Sequence, residues 1–149
     1  MQRIIVNRVQ RGYQCARECQ YLFPVASELA VMNGDIVSNP SAATCIANAL
    51  DVIDRFEGTP AEEPTRQIDY KELMAMPPER FGVPETFSCG TRYGITIRAT
   101  PAFYQRLKRF TDDLARIDFT GVKVVYTNFA IRAALRAAIA IYKGFCPIV

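Results

Sequence analysis

Residues 94–110 read GITIRATPAFYQRLKRF. Two periods meet there with no loop between them. Ile95-Thr96-Ile97-Arg98 alternates apolar and polar, the period of a half-buried strand. Thr100 is a good helix N-cap and Pro101 suits the first helical position. Phe103, Leu107, Phe110, Leu114 and Ile117 follow at steps of four and three, one apolar helical stripe. Arg106, Lys108, Arg109, Asp112 and Asp113 lie off it. A strand this short buries too little to stand alone and needs a mate. The nearby sequence offers no convincing one.

Downstream, Asp118 to Gly121 is a break, and Val122 to Tyr126 (VKVVY) is either a strand or the tail of a loop. Thr127 or Asn128 then caps a last helix, closed by Gly144. Between Phe129 and Tyr142 only Arg132 and Arg136 are charged. A helix apolar nearly all round must be buried nearly all round. In a chain this small, the centre of a dimer is the simplest place for it.

Upstream the pattern is weaker. Residues 3–9 (RIIVNRV) read as a strand or a helix. Tyr13 to Phe23 has helical spacing that Pro24 interrupts or re-aims, and Ser27 to Met32 resumes a helix before the Asn33-Gly34-Asp35 turn. Ser38 or Asn39 caps an amphipathic helix with Pro40 in its first turn and Gly58 at its stop; Ile46, Ala49, Leu50, Ile53 and Phe56 share its apolar face. Residues 59–68 form a polar linker. Asp69 caps a short helix that ends before Pro77-Pro78, and residues 77–90 form a Pro- and Gly-containing loop. There is no evident internal repeat.

Composition narrows the chemistry. Half of the 149 residues are apolar, enough for a real core, and neither histidine nor tryptophan is present. Without histidine the commonest general base and metal ligand are missing. Five scattered cysteines (Cys15, Cys19, Cys45, Cys89, Cys146) point to reduced core thiols. Cys15 and Cys19 fall on one face of the expected helix, with no second pair to complete a zinc site. Cys89 lies in a loop near Arg92 with no base beside it. Glu57, Glu62 and Glu63 read as a solvated cluster, and Tyr13, Tyr21 and Phe23 as core or interface. No cofactor, metal or catalytic residue is expected, so the chain reads as a non-enzyme. No secretory signal and no stretch able to span a bilayer is seen, which suggests a soluble cytoplasmic protein without a membrane partner.

Charge is uneven. Residues 1–89 carry 8 Lys and Arg against 12 Asp and Glu, whereas residues 90–149 carry 10 against 3. A basic C-terminal part suggests a polyanionic partner. The organisation expected is a mostly helical region of unknown role over residues 1–85 and a second module over residues 86–149.

The order of strand, capped helix and apolar helix resembles the ribbon-helix-helix family of dimeric DNA-binding proteins. The resemblance covers about residues 92–143, and GITIRATPAFYQRL and YTNFAIRAALRAAI carry it. It implies an α+β, mostly helical fold: a C-terminal ribbon-helix-helix dimer module with a helical N-terminal extension. The strand's mate is then the same strand of a second copy, and the paired strands enter the major groove of double-stranded DNA. The residues matching the family's base-reading positions are Thr96 and Arg98, with Arg92 compensating for Gly94. Thr127 and Asn128, with Lys123 nearby, match its phosphate-binding helix start. Ile95, Ile97, Phe103, Leu107, Ile131 and Leu135 fall to the dimer core. The segment between the two helices is longer than the family's short turn. The implied role is a homodimeric, sequence-specific DNA-binding protein, either a transcriptional repressor or a plasmid or phage accessory factor. The N-terminal region is left for a possible protein partner.

A second arrangement fits the same pattern. Ile95–Arg98 and Val122–Tyr126 would be parallel strands joined by the helix between them, with RIIVNRV as a third strand. That gives a small two-layer α/β domain with a βαβ unit, suited to a non-enzymatic protein-binding regulator or inhibitor from a mobile genetic element.

Overall fold

The structure is a computed structural model that describes residues 7–58, 66–84 and 92–149. Its elements run β1 (Val9–Ala16), α1 (Cys19–Met32), α2 (Ala42–Glu57), α3 (Tyr70–Ala75), a 3-10 turn (Pro78–Phe81), β2 (Arg92–Ala99), α4 (Pro101–Leu114) and α5 (Thr127–Lys143). The fold is α+β and mostly helical.

The strand that lacked a mate has one within its own chain. β2 pairs antiparallel with β1, with Gln10 opposite Arg98, Gly12 opposite Thr96, Gln14 opposite Gly94 and Ala16 opposite Arg92. The expectation that the mate is the same strand of a second copy is thereby corrected: β1 of the same chain supplies it. β1 escaped sequence reading because its pattern is faint. Val9, Arg11, Tyr13 and Cys15 fall on its inward side, and only Cys15 is fully buried. The helix expected from Tyr13 begins at Cys19 and runs on through Pro24. Of the strand expected at residues 3–9, residues 3–6 lie outside the described residues.

β2 alternates as expected. Ile95, Ile97 and Ala99 are buried, while Thr96 and Arg98 are exposed. The Thr100 hydroxyl accepts the Phe103 N–H at 3.3 Å and Pro101 takes the first helical position, so α4 starts where its sequence says. On α4, Tyr104, Leu107, Thr111 and Leu114 are buried, and Phe103 and Phe110 are half-buried. Asp69 caps α3 as expected, whereas the cap of α2 is Ser41, one residue beyond Pro40.

α5 is the centre of the molecule. Every residue from Ala133 to Ala140 is buried, as are Ala130 and Ile131. Its alanines let α1, α2, α3, α4 and β1 all pack against it. A single chain therefore buries this helix, and the dimer expected to do so is not needed. Ile95, Ile97, Leu107, Ile131 and Leu135, assigned from sequence to a dimer core, form one intrachain cluster with Leu22, Ile46 and Leu73. That cluster and the β1–β2 ladder both span the boundary expected near residue 85.

Val122–Tyr126 is a loop, so the parallel crossover with β2 does not form. Gly121 at φ 78° turns the chain away from extension. No described helix is long and apolar enough to cross a membrane.

Candidate functional site

The ribbon's outer face is its most distinctive surface. By alternation it carries Gln10, Gly12, Gln14 and Ala16 from β1 and Arg92, Gly94, Thr96 and Arg98 from β2, all exposed. Neither strand contains a carboxylate or an outward aromatic ring. The face offers two guanidinium forks, two amides and a hydroxyl. These groups donate hydrogen bonds in bidentate or adaptable geometry. None of them is an acid–base or nucleophilic group suited to turnover near neutral pH.

The two glycines leave the middle of the face low. A Cβ built on Gly94 would lie 3.2 Å from Gln14 Nε2, so the Gln14 amide lies across the bare backbone of its cross-strand partner. The empty outward position in β2 is covered by a side chain from β1.

The ribbon is held rigidly from behind. The Tyr104 hydroxyl stands 2.7 Å from the Val9 carbonyl and 2.9 Å from the Ile97 carbonyl, one acceptor on each strand, and shares its hydrogen between them. Burial pushes this phenol's pKa up and keeps it a neutral donor. The Arg11 guanidinium lies 4.4 Å from the Tyr104 ring centroid. Asn128 Nδ2 donates to the Gln14 carbonyl at 2.8 Å, tying the start of α5 to β1.

That helix start, like that of α1, has no side-chain cap at its N-cap residue. α2 and α4 are capped by the Ser41 and Thr100 hydroxyls, but the N-cap of α5 is Tyr126, with no side-chain cap. The Phe129 N–H is taken by Asn128 Oδ1 at 2.8 Å. Thr127 lines a recess of ≈ 470 Å³ with Arg11, Tyr13, Tyr104, Gln105 and Lys108. Two cations thus border the electropositive end of the most buried helix.

The structure brings Arg92, Thr96 and Arg98 onto one exposed face, as the alternation required. Asn128 is engaged with β1 and with its own helix. Thr127 is half-buried at the recess, and Lys123 is exposed in the preceding loop. Sequence reasoning missed Gln10 and Gln14. The signal was Gln10-x-Gly12-x-Gln14, a period-two polar run that reads as loop without a partner strand.

Among the described residues Cys15, Cys19 and Cys45 are buried free thiols and Cys146 is half-buried. Cys15 and Cys19 are buried, one on β1 and one opening α1, not on one helical face. Their thiols hydrogen-bond to each other, and this with burial pushes Cys19 far up. Cys89, Glu62 and Glu63 lie outside the described residues. Glu57 accepts the Ile68 N–H at 3.2 Å, and burial raises its pKa. Among the described residues no group of three or more acidic, Cys or His side chains could hold a metal. Comparison with known proteins finds no matching family model, no matching curated protein and no matching solved structure.

Proposed function

We propose that the chain is a sequence-specific double-stranded DNA-binding protein that lays its two-stranded ribbon in the major groove. It would act as a transcriptional repressor or as a plasmid or phage accessory factor. The observation that carries this reading is the carboxylate-free outer face of the ribbon, with Arg92, Thr96 and Arg98 beside Gln10 and Gln14. A major groove about 12 Å wide admits a two-stranded ribbon. Arginine pairs bidentately with guanine, glutamine with adenine, and threonine touches the thymine methyl. The uncapped start of α5, with Arg11 and Lys108 bordering its recess and Lys123 in the loop before it, supports a phosphate contact that sets the ribbon's depth. Because β1 supplies the second strand, this reading needs one chain where the sequence suggested a homodimer.

The test is fluorescence anisotropy of the full chain on duplexes drawn from a randomised library. Wild type should enrich particular sequences, and its affinity should fall steeply with rising salt, because releasing condensed counterions then gains less entropy. Arg98→Ala should flatten preference at one or two base pairs by about 1–3 kcal/mol. Lys123→Ala should weaken every duplex alike. No enrichment and no binding at low salt would sink the reading and leave the protein-binding regulator in its place.

A further inference from the structure

The element order strand–helix–helix occurs twice, as β1–α1–α2 and as β2–α4–α5. Each strand has 8 residues and each following helix has 14. The caps of α1 (Glu18 and Asn33) and of α4 (Thr100 and Ala115) stand at the same separation along the chain. α2 has 16 residues and α5 has 17, and both stop at a glycine of positive φ, Gly58 at 85° and Gly144 at 78°. Packing follows the same rule. α5 packs on the first unit's strand, β1, and α2 packs on the second unit's strand, β2; the two helices also pack on each other. The two units thus share their element order, helix lengths and exchanged strand–helix contacts.

The shared cap spacing sets the equivalences in the ribbon. Gln10 matches Arg92, Gly12 matches Gly94, Gln14 matches Thr96 and Ala16 matches Arg98. Across this stretch only the glycine is common to both strands. The backbone frame repeats, and the chemistry on it does not. One strand presents two amides; the other presents two guanidinium groups and a hydroxyl. The helix starts differ in the same sense. α2 is capped by the Ser41 hydroxyl, whereas at α5 Asn128 takes the Phe129 N–H and Arg11 and Lys108, the latter paired with Asp112, border the recess.

We infer that a single copy of the chain recognises a continuous DNA site without dyad symmetry. Gln10, Thr96 and Arg98 stand toward one end of the ribbon and specify one half, and Gln14 and Arg92 stand toward the other end and specify the other. This rests on the DNA-binding reading above. A homodimeric ribbon presents identical strands and so selects a palindrome; this ribbon presents two different ones. The half under Gln10, Thr96 and Arg98 should combine adenine, thymine and guanine contacts, and the half under Gln14 and Arg92 one adenine and one guanine contact.

Selection of the full chain on a randomised duplex library, followed by native mass spectrometry on the enriched duplex, tests it. The expected result is a non-palindromic consensus bound by one chain. The double variant Gln10→Ala/Arg98→Ala should lose about fivefold or more of its discrimination in one half only, and Gln14→Ala/Arg92→Ala the same in the other half only. These side chains are exposed, and circular dichroism of each variant should match wild type. A palindromic consensus bound by two chains would overturn the inference and leave the DNA-binding reading standing. So would loss of preference in both halves from the Gln10/Arg98 variant. Absence of any enriched sequence overturns both.

Discussion

Asn128 Nδ2 donates to the main-chain carbonyl of Gln14 at 2.8 Å, joining the first turn of the most buried helix to the outer strand of the ribbon. The contact fixes how far the start of α5 stands from the face that carries Gln10, Gln14, Thr96 and Arg98. Asn128→Ala removes it and also frees the Phe129 N–H. The expected loss of stability is about 1–3 kcal/mol, the net worth of two ordinary hydrogen bonds. Urea titration measures that loss. Anisotropy titration should show weaker binding to all duplexes with their rank order unchanged. A changed rank order would mean that Asn128 reads bases itself.

A buried charge cluster locks the two units together. Glu18 and Arg136 are each 2 % exposed, and Arg136 Nη2 donates to Glu18 Oε2 at 2.7 Å. Arg132 Nη1 donates to the other carboxylate oxygen at 2.7 Å. Arg136 Nη1 also donates to the Leu73 and Met76 carbonyls at 3.1 and 2.9 Å, closing the end of α3, and the guanidinium stacks 4.5 Å from the Phe81 ring centroid. Desolvation pulls the Arg136 pKa down while Glu18 opposes it. Arg136→Met should cost about 3–5 kcal/mol, because it leaves one oxygen of a buried carboxylate and two carbonyls without this donor. Arg132→Met, at a position still in contact with water, should cost clearly less. Equal costs in chemical denaturation would show that Glu18 draws its support evenly from both.

How much of this was legible beforehand depended on whether an element's signal was its own. β2 and α4 declare themselves through Ile95/Ile97 alternation and the Thr100-Pro101 start. The burial of α5 was legible too, from its alanines and its two lone arginines, but its location was not. Burial says that something surrounds a helix, not whether that is a second copy or four other helices of the same chain. β1 was illegible because its inward residues include Arg11, which gains its place only from the Tyr104 ring beneath it. With β1 hidden, the repeat of strand–helix–helix was hidden as well. The half of the candidate face built from Gln10 and Gln14 went with it.

Gly94 is where the two strands' side chains meet. A methyl group there would meet Gln14 Nε2 at 3.2 Å, the free end of a flexible side chain that can yield. Alanine also recovers backbone entropy that glycine loses in a strand. Gly94→Ala should therefore leave thermal stability unchanged or raise it by up to about 1 kcal/mol. Its effect should fall on recognition, since the Gln14 amide must move. Base preference opposite Gln14 should change while preference opposite Arg98 stays. A clear drop in melting temperature would mean that the Gln14 amide is locked more firmly than its contacts indicate.

At the far end of α5, the Tyr142 hydroxyl donates to Asp35 Oδ2 at 2.5 Å and accepts from Asn48 Nδ2 at 3.0 Å. Arg55 pairs with the same Asp35 oxygen at 3.0 Å. Burial first, and then the Asp35 carboxylate, push the Tyr142 phenol up to about 12. An unfolded tyrosine ionises near about 10. Between those values the unfolded chain has released the proton and the folded chain still holds it. The contribution of Tyr142 to stability is thus complete below pH 10 and is lost as pH rises toward 12. Tyr70, raised by burial, adds a slope of the same sign. Urea midpoints measured across this window for wild type and for Tyr142→Phe separate the two. The variant should lose about 0.5–1.5 kcal/mol at neutral pH, from the missing hydroxyl, and should fall less steeply above pH 10. Parallel curves for the two proteins would show that the Asp35–Tyr142–Asn48 chain is not closed in solution.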